Sequence, residues 1–180
     1  MKEVDLVIRG AQVVSPERIF EAAVAIAGER IVAVGHDDTM PPAREEMRAD
    51  GLHLLPGAID SHVHFRDPGY PNKETWKTGS AAAALGGVTT VFEMPNANAP
   101  TGTVEALRLK QKAAESSYVD FGIHGLLGDD TVERLEELLE AGVTSFKAFV
   151  GNTFGNLPAP TDGALLEGFE KLAPLGIRTV

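Results

Sequence analysis

The feature that most constrains the fold is a regular alternation of strand-like and helix-like segments that begins near residue 53. Apolar runs of strand length lie at 52–65, 88–95, 118–127, 145–150 and 177–180. Segments with helical periodicity separate them, at 74–87, 103–117, 129–142 and 161–176. Repeats of this kind form parallel sheets with right-handed crossover connections.

Two architectures accommodate this alternation, an open doubly wound sheet and a (β/α)8 barrel. No glycine-rich phosphate loop follows the first strand, which argues against a nucleotide-binding open sheet. A barrel has eight strand–helix units in about 250 residues. This chain of 180 residues has four complete units and the start of a fifth strand. The sequence therefore predicts an α/β fold that forms the first half of a (β/α)8 TIM-type barrel.

The residues before this alternation have a different pattern, of short β-rich runs separated by turns. The runs at 4–8, 11–14, 22–27 and 31–35 predict strands. Residues 36–50 contain two adjacent prolines and many charges, so we expect a loop or linker there. The sequence thus predicts a β-strand subdomain on residues 1–52, part of a composite β domain, and the barrel segment on residues 53–180.

Composition limits both the chemistry and the partners of this chain. With no cysteine, a disulfide framework and thiolate zinc are excluded, and any metal must have nitrogen and oxygen ligands. A formal net charge of -10 disfavours binding to nucleic acid and to anionic membranes. No apolar run approaches the roughly 20 residues that cross a bilayer, and the N-terminus does not resemble a signal peptide. We expect a cytoplasmic protein, in which an anionic small-molecule substrate would need a local cationic residue.

Two histidines stand two residues apart at the end of the first barrel strand. Because alternate residues of a strand share a face, His62, His64 and Arg66 are expected to point the same way. The Cα atoms of the two histidines would be roughly 6.5 Å apart, so that their rings can converge on one ion. The competing interpretation is two core histidines satisfied by hydrogen bonds. Metal ligation is favoured, because packing alone gives little reason to bury two imidazoles side by side.

Lys147 lies inside an apolar strand, between Phe146 and Phe149. Burial would shift this lysine towards the neutral amine, which can react with carbon dioxide to give a carbamate that bridges two metals. Alternatively, the lysine lies at the strand end with its ammonium group in solvent. The residues alone leave both interpretations open.

Several further polar residues have two interpretations each. Arg66 offers a planar fork for a carboxylate, or forms an ordinary ion pair with Asp67 or Glu93. Asn96 follows the second barrel strand and, from the residues alone, is better explained as a turn residue than as a substrate ligand. His124 is expected to be a packed strand histidine. Asp60 and Glu93 could orient metal ligands, although the sequence does not decide this.

The ordered motifs of the chain resemble those of the cyclic amidohydrolases, and especially of dihydroorotase. The resemblance rests on PGAIDSHVHFRDPGY at 56–70, KET at 73–75, GGVTT at 86–90, MPN at 94–96 and FKAF at 146–149. It implies a (β/α)8 barrel with a binuclear zinc site, in which His62 and His64 bind the more buried ion and Lys147, as a carbamate, bridges both ions. It also implies that Arg66 and Asn96 bind the substrate carboxylate.

The resemblance implies that further ligands and the catalytic acid/base lie outside these residues. Two more histidines are expected after strands five and six, and an aspartate acid/base after strand eight, so that residues 1–180 alone should be inactive. Arg66 and Asn96 favour dihydroorotase, since allantoinases usually lack this arginine and have Met-Pro-Leu in place of Met-Pro-Asn. The alternatives are an allantoinase, another cyclic amidohydrolase or a non-catalytic scaffold. The resemblance also implies a homo-oligomer, which could associate with other enzymes of pyrimidine biosynthesis.

Overall fold

A computed structural model of the protein describes residues 2–151, 157 and 159–180. Its chain forms two compact units, Met1–Pro56 and Gly57–Val180. The sequence predicts a division after residue 52. In the structure, residues 53 and 54 pair with the first strand and therefore lie in the first unit.

The first unit is built around one mixed sheet. Its strands are β1 (Val4–Val14), β2 (Ile19–Ala27), β3 (Arg30–Gly35), β4 (Ala43–Arg48) and β5 (His53–Leu54). The sheet order is β3-β2-β1-β4, with β5 also pairing with β1. The β1–β2 and β2–β3 pairs are antiparallel, whereas β4 and β5 run parallel to β1. Buried side chains of β1 and β2 form a small core of Val4, Val7, Ala23 and Ala25.

The prediction of a loop over residues 36–50 was wrong for part of its length. Ala43–Arg48 forms strand β4, which pairs in parallel with β1 at the edge of the sheet. Edge strands commonly carry exposed charges, which discourage pairing with other chains. Here Glu46 is exposed and binds Arg9 of β1 at 2.7 Å. The charged composition that suggested a loop is therefore that of an edge strand.

The second unit alternates strands and helices, as predicted. Its elements are β6 (Ala58–Val63), α1 (Trp76–Leu85), β7 (Val88–Glu93), α2 (Val104–Ala114), β8 (Asp120–Leu126), α3 (Leu135–Glu140), β9 (Ser145–Lys147) and α4 (Asp162–Leu172). The strands pair in parallel in the order β6-β7-β8-β9. Thr179 continues this order through a parallel bridge to Phe146. Each described strand thus neighbours its successor, as in a barrel, and shows no reversal of order of the doubly wound type.

The helix predicted at 129–142 is shorter in the structure. A 3-10 turn at Val132–Arg134 precedes the α-helical residues of α3. The hydroxyl of Thr131 donates to the carbonyl of Leu126 at 2.7 Å and accepts from the amide of Gly128, which fixes a turn before the helix. Asp129 accepts hydrogen bonds from the amide and hydroxyl of Thr161, and so supports the start of α4 instead.

Threonines cap the N-termini of three helices, and a shared core holds the helices on the sheet. The side chains of Thr75, Thr103 and Thr161 accept hydrogen bonds from the first turns of α1, α2 and α4, each contact contributing about 1 kcal/mol. The core beneath them includes the fully buried Trp76 and Phe146. Among the described residues, no helix combines the length and apolarity that a membrane span requires.

Candidate metal centre

The predicted site residues lie at the carboxyl ends of the parallel strands. His62 is within β6 and His64 follows its last residue, while Asn96 follows β7 and Lys147 ends β9. Because these strands are parallel, their carboxyl ends lie at one edge of the sheet. In β/α barrels this edge carries the active site.

The two histidines form a close pair. Their ring centroids are 5.2 Å apart, with the ring planes inclined by 59°. Nδ1 of His64 is buried and has no hydrogen-bond partner among the described residues. Burial, together with the nearby charge of Arg66, lowers the pKa of His64 and favours the neutral imidazole. A neutral imidazole with an unpartnered nitrogen can act as a metal ligand, so this pair fits a metal ion.

The rest of the donor set is incomplete within the described part of the chain. No group of three or more His, Asp or Glu side chains there could hold an ion. Lys147 is half-buried, and its Nζ lies 5.4 Å from the ring centroid of Phe149, a cation–π contact. The carbamate at Lys147 stays a prediction.

Arg66 and Asn96 meet beside the histidines. Arg66 has a φ of 59°, a left-handed conformation that is uncommon for residues other than glycine. Its Nη1 donates to the backbone carbonyl of Asn96 at 3.4 Å. The side chain of Asn96 is buried, and its Oδ1 has no hydrogen-bond partner among the described residues. The structure therefore brings together the two residues for which the resemblance implies substrate binding.

Glu93 connects these residues to the strand below them. The carboxylate of Glu93 accepts hydrogen bonds from the amide of Phe65 at 2.7 Å and from the amide of Arg66 at 3.1 Å. Glu93 is only 1% exposed, and this burial raises the pKa of its carboxyl group against the opposing effect of Lys110. The sequence left the role of Glu93 open, and the structure shows it bound to the segment that follows His64.

Lys110 is a buried residue of this region that sequence reasoning missed. Its side chain is 1% exposed, and Nζ donates to the carbonyl of Met94 at 2.8 Å while lying 3.9 Å from Oε1 of Glu93. Burial lowers its pKa from the usual 10.5 to about 8. Lys110 occupies the buried face of α2 with Ala106, Leu107 and Ala114, so a lysine within an apolar helical stripe was the available signal.

His124 has the packed strand environment that the sequence suggested. Nδ1 of His124 lies 2.7 Å from the hydroxyl of Ser145, and Nε2 lies 3.1 Å from the carbonyl oxygen of Ser61. Both ring nitrogens are thus engaged by protein, and burial lowers the pKa of this histidine. His36 and His53 are exposed residues of the first unit.

The fold and the paired histidines are those of a β/α-barrel protein with a candidate metal centre at the strand ends. Residues 53–147 match the profile of the amidohydrolase family, and the chain belongs to this family. The predicted family and fold class are thereby confirmed.

Three relatives illustrate the similarity. An allantoinase from Desulfitobacterium hafniense is 38% identical over 98% of this chain and 40% of its own length. A dihydroorotase from Methanosarcina acetivorans is 37% identical over 85% of this chain and 33% of its own length. The structure of an L-hydantoinase (dihydropyrimidinase) from Arthrobacter aurescens superposes with a TM-score of 0.90 at 29% identity, over 98% of this chain and 40% of that protein.

These comparisons show how much of each relative this chain covers, and they bear on the choice between dihydroorotase and allantoinase. The chain spans about 40% of the length of the first curated relatives that it matches. Several further bacterial relatives are also named allantoinase. The preference for dihydroorotase, drawn from Arg66 and Asn96, is therefore not confirmed, and the allantoinase alternative fits the relatives better.

Proposed function

We propose that these residues form part of the active site of a metal-dependent hydrolase that opens a cyclic amide ring, with allantoin as the substrate. Similarity to proteins named allantoinase supports the choice of substrate. The observation that carries the chemistry is the pair formed by His62 and His64, in which the buried Nδ1 of His64 has no protein partner among the described residues.

In this proposal His62 and His64 hold a divalent metal ion, for which zinc is the expected identity. Lys147, in its carbamate form, would help to hold a second zinc ion. Metal ions of this kind lower the pKa of bound water and polarise a carbonyl group, which is the chemistry that opening an amide ring requires. His64 suits this role because the lowered pKa keeps its imidazole neutral at physiological pH.

Arg66 and Asn96 serve as the substrate-binding pair in this proposal. The chain has a formal net charge of -10, so a cationic group at the strand ends gives a local site for an electron-rich oxygen. The guanidinium group of Arg66 can donate two parallel hydrogen bonds to a pair of substrate oxygens. The hydrogen bond from Arg66 to the carbonyl of Asn96 keeps both residues beside the histidines. Together they would orient the ring with its amide carbonyl towards the metal.

A dihydroorotase is the second candidate, because the guanidinium of Arg66 suits a carboxylate. Dihydroorotate carries a ring carboxylate, whereas allantoin is a neutral molecule. Loss of a charge-assisted hydrogen bond typically costs about 1.5–3 kcal/mol, which corresponds to roughly 10- to 100-fold in kcat/KM. We therefore expect Arg66→Met to reduce turnover of dihydroorotate by this factor. Turnover of allantoin should fall less, because hydrogen bonds to a neutral carbonyl oxygen contribute only about 0.5–1.5 kcal/mol.

The test uses the complete gene product that carries these residues, loaded with zinc in the presence of bicarbonate. Ring opening of allantoin and of dihydroorotate is measured in parallel, with and without Arg66→Met. Zinc-dependent opening of allantoin supports the proposal, and opening of dihydroorotate alone would replace it with the second candidate. A folded, zinc-loaded protein that opens neither ring would contradict both assignments, and a folded protein that binds no zinc would favour a non-catalytic scaffold.

A further inference from the structure

We propose that Glu93 and Lys110 form a buried positioning pair, which fixes the backbone after His64 and thereby sets the metal affinity of the histidine pair. This inference rests on the proposed function, because it requires that His62 and His64 bind a metal ion. It concerns residues that do not themselves touch the metal or the substrate.

Glu93 holds two consecutive peptide groups at the point where the chain leaves β6. Its Oε2 accepts from the amide of Phe65 at 2.7 Å and its Oε1 from the amide of Arg66 at 3.1 Å. One carboxylate that binds two successive amides fixes the orientation of the peptide between them. Arg66 has a φ of 59°, and such a conformation persists only where the surroundings hold it. Glu93 supplies that restraint from the end of β7.

Lys110 completes the pair from helix α2. Its Nζ lies 3.9 Å from Oε1 of Glu93 and donates to the carbonyl of Met94 at 2.8 Å. The two charged side chains are each 1% exposed. Buried ion pairs are weak contributors to stability, and well-packed apolar residues of similar volume often stabilise a fold at least as well. A role in positioning therefore explains this pair better than a role in packing.

The hydrogen bonds to Glu93 affect both the metal-binding and the substrate-binding residues of the candidate site. Phe65 stands between His64 and Arg66, and its ring packs edge-on against Trp76 with a centroid separation of 5.2 Å. The backbone of Phe65 is held by Glu93 and its side chain by the core. Release of the Glu93 anchor would let His64 and Arg66 shift together. Metal affinity and substrate KM should consequently change in the same variants.

The test compares zinc affinity in folded variants of the complete gene product, by competition with a chromophoric chelator. The double variant Glu93→Gln/Lys110→Met removes both charges, and the single amide oxygen of Gln cannot accept both peptide groups. Substitutions of residues that orient metal ligands typically lower metal affinity by about 10- to 100-fold, and we expect a decrease of this size. Cobalt absorption bands should also change, because they report the geometry of the ligands.

A matched control is the pair of Glu133 and Lys171, whose side chains lie 2.7 Å apart on the outside of the unit. The variant Glu133→Gln/Lys171→Met should leave zinc affinity unchanged. Glu93→Asp provides a second test that keeps both charges, since a carboxylate shorter by one methylene cannot reach both amides. It should also weaken zinc binding.

The outcomes separate this inference from the proposed function. Zinc affinity within twofold of the parent in folded Glu93→Asp or in the folded double variant would overturn the positioning role and leave the metal centre intact. A parent protein that binds no zinc would contradict the metal centre and this inference together. A similar loss of zinc affinity in the Glu133→Gln/Lys171→Met control would also overturn the positioning role, because the effect would then not be specific to the site.

Discussion

Gly79 in α1 allows a direct test of how tightly the segment after His64 is packed. A Cβ atom at Gly79 would lie 2.4 Å and 2.5 Å from two ring carbons of Phe65. Phe65 is buried, and its ring packs against Trp76. The ring centroid of Trp76 lies in turn 5.1 Å from that of Phe121. The ring of Phe65 therefore has little room to move. The Gly79→Ala variant should force this aromatic cluster to shift.

Two opposing effects determine the change in the free energy of unfolding. Insertion of a methyl group into a packed core costs about 1–3 kcal/mol. Replacement of glycine by alanine within a helix returns about 0.5–1 kcal/mol. The difference is about 0–2.5 kcal/mol, and the 2.4 Å approach to Phe65 favours its upper part, so we expect the free energy of unfolding to fall by about 1–2.5 kcal/mol in Gly79→Ala. Urea unfolding followed by fluorescence measures this directly, since Trp76 is the single tryptophan and is fully buried in the affected cluster.

Gly163→Ala in α4 is the matched control. A Cβ atom there would have its nearest neighbour at 3.9 Å, the hydroxyl oxygen of Thr161, so only the gain in helix propensity should remain. Its free energy of unfolding should stay level or rise by about 0.5–1 kcal/mol. Equal stabilisation of the Gly79 and Gly163 variants would refute the tight packing of Phe65. Because Phe65 adjoins His64, zinc affinity should also fall in Gly79→Ala alone.

Three further predictions follow from particular contacts. Lys110 has a pKa of about 8 in the folded protein against the usual 10.5, so the unfolded chain binds its proton more tightly between these pH values. The parent should therefore gain up to about 3 kcal/mol relative to Lys110→Met as the pH rises from about 8 to 10.5, and a flat difference in urea titrations would contradict the burial of Lys110. Thr161→Ala should lower the free energy of unfolding by about 1–2 kcal/mol, because it removes the N-cap of α4 and the hydroxyl contact to Asp129; an unchanged urea midpoint would speak against this. Lys147→Met should bind one zinc ion fewer than the parent, and the same zinc content with and without bicarbonate in the parent would argue against the carbamate.

The sequence predicts the second unit well because its signals are local and repeated. Apolar runs of strand length, each followed by a helical pattern, specify parallel pairing without knowledge of distant contacts. The edge strand Ala43–Arg48 was not predicted. All of its residues but Ala43 are exposed, so it lacks the buried apolar face by which strands are recognised. The helix predicted at 129–142 was too long for two reasons. The hydroxyl of Thr131 fixes a turn before the helix, and Asp129 binds Thr161, a residue far away in the chain.

The sequence alone points to candidate metal ligands, but it does not reveal the residues that hold the backbone beside them. His62 and His64 are recognisable because their spacing places both on one face of a strand end. The partnership of Glu93 with Lys110 depends on where α2 places Lys110 relative to the end of β7, which the local sequence does not encode. Arg66 and Asn96 predict recognition of an electron-rich oxygen and do not by themselves separate dihydroorotate from allantoin.

Zinc content per chain is the most direct measure of whether His62 and His64 bind a catalytic metal. The complete gene product is purified with zinc and bicarbonate, and its metal is counted by elemental analysis beside the His62→Asn/His64→Asn variant. His36→Asn is the control, since His36 is exposed and paired with Asp38 in the other unit. We expect two zinc ions in the parent and in the His36 control, and the loss of at least one ion in the double variant. An unchanged zinc content in a folded double variant would contradict it.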